Sequence, residues 1–291
     1  MKDAFLKYLS FEKRLSSHTI TSYSNDLDQF LLFYKNYSYN DNIKKVDRRA
    51  IRSWVVELSL KDLSPRSINR KLATLKSFFK YLIKRSLIRS NPTSGINSLK
   101  TNQEIPQFIN EKDMIYLFDN LELEDGFKGV RDLLILELLY GTGIRISELI
   151  SLKLSDINFI KKEIKVLGKR NKERIIPLHN KSIEQIKKFN RTKEELSIET
   201  SELICTEKGG KAYPMLISRA VKKHLSSLIN SKKYNPHLLR HTFATHILNK
   251  GGDLNSIKDL LGHKSLAATQ IYTHNSIEKL KETFKKSHPR A

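Results

Sequence analysis

Four short segments of the chain set cationic or nucleophilic side chains beside apolar or glycine-rich backbone. They are YGTGIRISELISL (140–152), KVLGKRNKERIIPL (165–178), NPHLLRHTFATHILNKGGDL (235–254) and LGHKSLAATQIYTH (261–274). A buried charge is costly unless it is paired. Arg145 and Arg240 stand among apolar neighbours, so each requires an anion, either a protein carboxylate or a substrate phosphate. Glu148 is a ready carboxylate for Arg145. His237 and His241 are four apart, a spacing that can place two imidazoles on one helix face and so raises a metal site. HLLRH lacks the glutamate of the zinc motif, however, and puts Arg240 where a cation would repel a metal. No cysteine pair or acidic cluster supplies further ligands. These residue types favour anion chemistry over metal chemistry.

The elements that would carry these segments follow from periodicity. Residues 1–92 read as four helices. After Ser17 as cap, Ile20, Tyr23, Leu27, Phe30 and Tyr34 recur at three and four. Asp47 caps a helix whose inner face is Ile51, Trp54, Val55 and Leu58, and Ser64-Pro65 opens one that buries Ile68, Leu72, Leu75, Phe79 and Leu82. Asn91-Pro92 ends it, because the residue before proline is pushed out of the helical region. A polar stretch with proline, 93–108, reads as a linker. A second domain then spans 109–291, with helices at about 111–121 and 128–140 and another from Ile146. Two β-rich runs, 163–167 and 174–178, flank the turn GKRNKE as a hairpin, and the rest is helical. The expected fold is mainly α: an all-α N-terminal domain and a mostly helical α+β C-terminal domain with a small β-hairpin or sheet.

The chain has 291 residues, 39% apolar, which suits two domains with real cores. It has no run of about 18 apolar residues to cross a membrane. The first residues, MKDAFLKYLSFEKR, lack the apolar region of a secretory signal and read as the first helix. The lone cysteine, Cys205, excludes an intrachain disulfide and fits a cytoplasmic location. Lys+Arg 53 against Asp+Glu 31 gives a net charge of +22, spread through the chain, which points to a polyanionic partner. On the helix after Pro65, Lys76, Lys80 and Lys84 are spaced by four, with Arg66 and Arg70 beside them. Few acids interleave to form pairs along that helix, so this ridge is a candidate DNA-phosphate contact.

The four segments resemble, in order, the motifs of the tyrosine recombinase (phage integrase) family, and specifically its Xer subgroup. GTGIRISEL is similar to the segment with the first catalytic arginine, Arg145, and GKRNKERIIPL to the β-hairpin with the catalytic lysine, Lys169. HLLRHTFATHIL is similar to the box holding His237 and Arg240, and LGHKSLAATQIYTH to the segment holding His263 and Tyr272. INRKLATLKSFFKYL and the terminal HPRA also look Xer-like, so the resemblance spans nearly the whole chain. One departure is Arg170, where the family commonly has glycine, which leaves Lys172 beside Lys169 as a second lysine of the hairpin.

The resemblance implies transesterification. Tyr272 attacks a DNA phosphodiester, leaving a 3′-phosphotyrosine and a free 5′-hydroxyl. Such a reaction builds charge on the non-bridging oxygens, so catalysis is mostly positioning and electrostatics. Arg145 and Arg240 can meet that charge with planar forks of donors, without a metal, a cofactor or ATP. His237 can take the tyrosine proton, and Lys169 can protonate the departing oxygen. The resemblance also implies a double-stranded DNA target site and a homo- or heterotetramer with a sister recombinase on two duplexes. A division-linked DNA translocase is a further partner it allows, and no membrane is involved. The segment 276–286, with Ile277, Leu280 and Phe284 at three and four, is expected to dock on a neighbouring subunit. Dimer resolution at cell division is the leading role. A phage or transposon integrase and a non-catalytic architectural DNA-binding protein are the alternatives.

Overall fold

A computed structural model describes residues 1–39, 41–101, 107–168, 173–228 and 234–262. The chain forms two compact units that part between Glu104 and Ile105.

The first unit is helical. Helix α1 (Lys2–Lys7) continues into a π-helical turn and is followed by α2 (Ser17–Ser38), α3 (Arg48–Leu60) and α4 (Pro65–Lys84). The starts of α2, α3 and α4 are set by side chains that accept otherwise unsatisfied N–H groups. Asp47 accepts from Ala50 N at 2.8 Å and Ser64 from Ser67 N at 3.3 Å. The cap of α2 is Ser16, one residue before the expected Ser17: Ser16 has extended backbone and accepts from Thr19 N, whereas Ser17 is already helical. Ile68, Leu72, Leu75, Phe79 and Leu82 are all buried on α4. They meet Phe30 of α2, whose ring lies 5.0 Å edge-on from Trp54 of α3.

A polar knot ties α2 to α4 inside this apolar core. Asp26 is buried and accepts from Arg70 (2.8 Å to Nη2), Lys71 Nζ at 3.1 Å and Thr74 Oγ1 at 2.8 Å. A lone carboxylate there would be costly, and two cations and a hydroxyl offset its desolvation. The polar stretch after α4 is not a free tether at its start. Ile96 is buried against the same core, and the Asn69 side chain pairs with both backbone groups of Leu99, at 2.8 and 2.9 Å.

The second unit is built around α6 (Phe127–Thr142), reached through α5 (Glu111–Asp119). Helix α6 is buried on nearly every side, as its run LLILELLY requires, and so belongs at the centre. It is followed by α7 (Ile146–Ser151) and a three-stranded antiparallel sheet of β1 (Ile157–Asn158), β2 (Glu163–Leu167) and β3 (Glu173–Pro177). The expected hairpin is β2–β3, with Ile164 opposite Ile176 and Val166 opposite Arg174, while β1 is an additional strand. Helices α8 (Asn180–Glu195), α9 (Pro214–Leu228) and α10 (Pro236–Asn249) pack on α6, and α11 (Leu254–Leu261) packs on α10 and β3. Among the described residues, no helix is long and apolar enough to cross a membrane.

The entry of the chain into this unit is fastened to α10. Ile109 N donates to Thr242 Oγ1 at 3.1 Å, and Ile109 O lies 2.8 Å from His246 Nε2. A carbonyl can only accept, so Nε2 carries the proton and Nδ1 accepts from Tyr140 Oη, 2.9 Å away on α6. Burial holds the His246 imidazole below its ordinary pKa, in the neutral form this arrangement uses.

Candidate active site

The segment GTGIR is where α6 stops and α7 starts. Gly143 ends α6 in the left-handed conformation, at φ 61°. A β-carbon there would lie 2.5 Å from the Phe243 ring and 2.8 Å from the Leu261 side chain. Glycine is therefore required twice, for its backbone angle and for its lack of bulk. The turn aims the Gly143 carbonyl at the guanidinium of Arg240, which donates to it through Nη1. Two residues on, Arg145 is the N-cap of α7, and its own N–H is taken by Glu148 Oε2 at 2.8 Å.

Glu148 is the hub. It is buried and accepts four hydrogen bonds, which fill the lone-pair sites of a carboxylate. Two come from Arg145, through N and through Nη1 at 2.7 Å. The other two come from Arg174 of β3, whose Nη1 and Nη2 reach Oε1 and Oε2 at 2.8 Å each. Burial alone would raise the Glu148 carboxyl, but the bonds from Arg174 and from the Arg145 backbone outweigh it and hold the group below the ordinary carboxylate range.

The C-terminal end of α11 closes the cluster. Three consecutive carbonyls each accept from a different arginine: Leu260 O from Arg174 Nε at 2.7 Å, Leu261 O from Arg240 Nη2 at 2.5 Å and Gly262 O from Arg145 Nη2 at 2.7 Å. The last carbonyls of a helix lack intrahelical partners and carry its negative dipole end, so cations are favoured there. Gly262 has a φ of 64°, and a β-carbon on it would sit 3.4 Å from Arg145 Nη1. The motif LG before His263 is thus a helix end shaped to receive guanidiniums.

Three guanidiniums therefore gather round one carboxylate. Arg240 is buried on α10, and desolvation, with Arg145 adding to it against Glu148, pushes it down to about 10, which still leaves it charged at neutral pH. His237 lies one turn before Arg240 on α10, at i and i+3, and is exposed where Arg240 is buried. Its helix start is fixed by Pro236 and by Asn235, whose side chain accepts from Leu238 N at 3.0 Å. His241 is half-buried on the same helix. Among the described residues, no group of three or more His, Cys, Asp or Glu side chains could hold a metal ion.

The structure thus brings together Arg145 and Arg240 and places His237 on the helix that carries Arg240. Lys169, His263 and Tyr272 lie outside the described residues, as do Lys172 and the segment 276–286. Arg174 is a member of the cluster that the sequence reading did not single out. Its signal was present: in the alternating strand β3 it occupies an inward position, in phase with buried Ile176.

The basic ridge of the first unit is corrected in one place. Arg66 and Lys80 are exposed on α4, Lys76 is half-buried, and Lys84 sits over the Tyr8 ring at 5.5 Å. Arg70 is not an unpaired cation. It is held by Asp26 from across the helix pair and also donates to Ser22 Oγ at 2.7 Å.

The comparisons agree with this architecture. Residues 107–279 match the model of the phage integrase family, and residues 3–86 match that of the phage integrase N-terminal SAM-like domain. The chain is 37% identical to a protein named tyrosine recombinase XerC from Chlorobaculum parvum, covering 99% of this chain and 94% of that one. It is 40% identical to the protein of the same name from Thermodesulfovibrio yellowstonii, covering 98% and 95%. Among solved structures, the XerH site-specific recombinase bound to its palindromic difH substrate has the same fold, with a TM-score of 0.72 at 22% identity over 97% of this chain and 83% of that one. A family model over most of the chain and relatives of this identity along nearly its full length leave one assignment: the chain belongs to the phage integrase family of tyrosine recombinases.

Proposed function

We propose that this tyrosine recombinase cleaves and rejoins double-stranded DNA at a specific site, with Tyr272 as nucleophile, and that it resolves chromosome or plasmid dimers at cell division. The observation that carries the reading is the arginine cluster. Arg145 and Arg174 share one carboxylate beside Arg240, and four hydrogen bonds from the three guanidiniums go to carbonyls, which satisfy donors without cancelling charge. So dense a cluster of guanidiniums, held largely by uncharged acceptors, suits a phosphate, and a protein that merely wraps DNA has no need to bury it. Relatives named tyrosine recombinase XerC support the dimer-resolving role over that of a phage or transposon integrase.

In this reading Tyr272 Oη forms a bond to phosphorus as the bond to the 5′-oxygen breaks. His237, exposed at the start of α10, takes the tyrosine proton, and Lys169, which lies between β2 and β3 in the sequence, supplies one to the 5′-oxygen. Arg145 and Arg240, with His263, bind the non-bridging oxygens where charge develops. The phosphotyrosine keeps the bond energy, so the 5′-hydroxyl of another strand can reverse the step without ATP. Arg66, Arg70, Lys76, Lys80 and Lys84 contact the DNA backbone, Arg70 with a guanidinium that Asp26 already orients. The enzyme works in the cytoplasm as a tetramer on two duplexes, alone or with a sister recombinase, through the segment 276–286, and a division-linked translocase is a further partner.

The deciding experiment is a nicked suicide substrate that traps the covalent adduct. The wild type accumulates adduct, while Tyr272→Phe, which removes one oxygen and little packing, binds the same DNA and forms none. Adduct formation by Tyr272→Phe would show that another residue is the nucleophile. No adduct from the wild type, with tight site-specific binding retained, would favour the architectural role.

A further inference from the structure

We infer that Arg174 is a positioning residue for strand cleavage: by binding both oxygens of Glu148, it sets the orientation of Arg145 and leaves Arg145 its positive charge. The inference rests on the reading of Arg145 as a phosphate ligand. Its basis is the division of Glu148 between two arginines. Each carboxylate oxygen takes one bond from each arginine, and the Arg145 bonds divide between its backbone and one Nη. Arg174, by contrast, makes the parallel two-bond fork that is the strongest arginine–carboxylate geometry. Glu148 is therefore neutralised chiefly by Arg174. Without Arg174, Arg145 would be the remaining guanidinium on a buried carboxylate, and would fold onto both its oxygens and away from an incoming phosphate.

Arg174 is also placed to couple elements. It projects from β3, which in sequence begins four residues after Lys169. Its Nε bonds Leu260 O at the end of α11, and its fork bonds the first turn of α7. One buried side chain thus joins the hairpin, the Arg145 helix and the segment that leads to His263. Lysine, with a single point charge, cannot reproduce the fork and the third bond together.

The test is a double-mutant cycle on single-turnover cleavage of the suicide substrate, using the full chain at saturating protein, with binding measured separately. Arg174→Gln is expected to bind DNA like the wild type and to cleave about 10- to 100-fold more slowly, the range for losing a partner that orients a charged site group. In a Glu148→Gln background, where no carboxylate charge remains to capture Arg145, Arg174→Gln is expected to change the rate by less than about 3-fold. Equal effects in both backgrounds would mean that Arg174 does not act through Glu148 and would overturn the inference. Should Arg174→Gln fail to fold, Arg174→Lys enters the same cycle with the same expectations. Arg145→Ala separates the two levels. If it cleaves normally, the phosphate-ligand reading fails. If it is inactive while Arg174→Gln stays within about 2-fold of wild type, only the role of Arg174 fails.

Discussion

Replacing Gly143 by alanine tests whether the turn between α6 and α7 builds the site or merely passes through it. Two costs can be worked out. An L-residue in the left-handed region loses about 1–2 kcal/mol, and Gly143 has a φ of 61°. The new methyl would also stand 2.5 Å from the Phe243 ring and 2.8 Å from Leu261, both buried, so the core must shift, at about 1–3 kcal/mol. Gly251 supplies the control. It has a φ of 83° with nothing within 4 Å of its notional β-carbon, so Gly251→Ala carries the backbone cost alone. Gly143→Ala should therefore melt roughly 2–12 °C below Gly251→Ala, taking about 2–4 °C per kcal/mol for a unit of this size. Because the Gly143 carbonyl receives Arg240 and the Leu261 carbonyl beside it does the same, cleavage should also slow more than DNA binding weakens. Differential scanning calorimetry and the suicide-substrate assay read both quantities. Equal melting of the two variants, with wild-type cleavage by Gly143→Ala, would refute the packing argument.

Other outcomes follow from the same structure and charge. If about 6–10 phosphates are contacted, DNA affinity should fall roughly 10³–10⁵-fold between about 50 and 200 mM salt, and a flat titration would count against a backbone-dominated interface. Cleavage should proceed in excess EDTA, while Arg145→Ala or Arg240→Ala slows it at least about 10²-fold; loss of activity in chelator with rescue by a divalent ion would reverse that assignment. Stability should decline in two stages on acidification. His246 has a folded pKa below its ordinary 6.5, so its contribution is full above that value and is lost as pH falls from there through the folded value. Glu148 and Asp132 are also held low: burial would raise each, but Arg174 and the Arg145 backbone outweigh it for the first, and His224 and Arg131 for the second. Their contributions are present above the ordinary carboxylate values and disappear as pH falls through the lowered ones. Urea midpoints against pH check this, and His246→Gln should flatten the upper stage only.

Much of the fold was legible because it is locally encoded. Asp47 and Ser64 cap helices through bonds to residues three ahead, and the α4 stripe of Ile68, Leu72, Leu75, Phe79 and Leu82 is a single-helix periodicity. What was not legible is non-local. Arg70 looked unpaired because its own helix offers no acid at the right spacing, yet its partner Asp26 is on α2. Residues 93–99 looked like a tether because their composition is polar, yet the Asn69 side chain reads the backbone of Leu99. Within the site, Arg145 and its nearby Glu148 could be paired from sequence. The second claim on that carboxylate, from Arg174, spans a loop and two strands and leaves only the inward phase of a strand as its trace.

Hydrogen-bond satisfaction and charge neutralisation are separate requirements, and this site meets the first largely with acceptors that carry no net charge. Buried guanidiniums must find acceptors, since an unmet donor is costly. Carboxylates would provide them and also extinguish the charge. Here the acceptors of Arg240 include two carbonyls, one from the glycine turn and one from the end of α11, and Glu148 serves Arg145 and Arg174 at once. The consequence is visible in Arg240, where burial and the neighbouring Arg145 act together against Glu148, and the pKa falls to about 10 yet the side chain stays protonated. Helix-end carbonyls are suited to this because their dipole attracts cations while carrying no net charge. That accounts for why the glycines lie where they do. Gly143 and Gly262 both have positive φ, and each exposes a carbonyl to an arginine at a place where a side chain would meet a buried ring or the guanidinium itself.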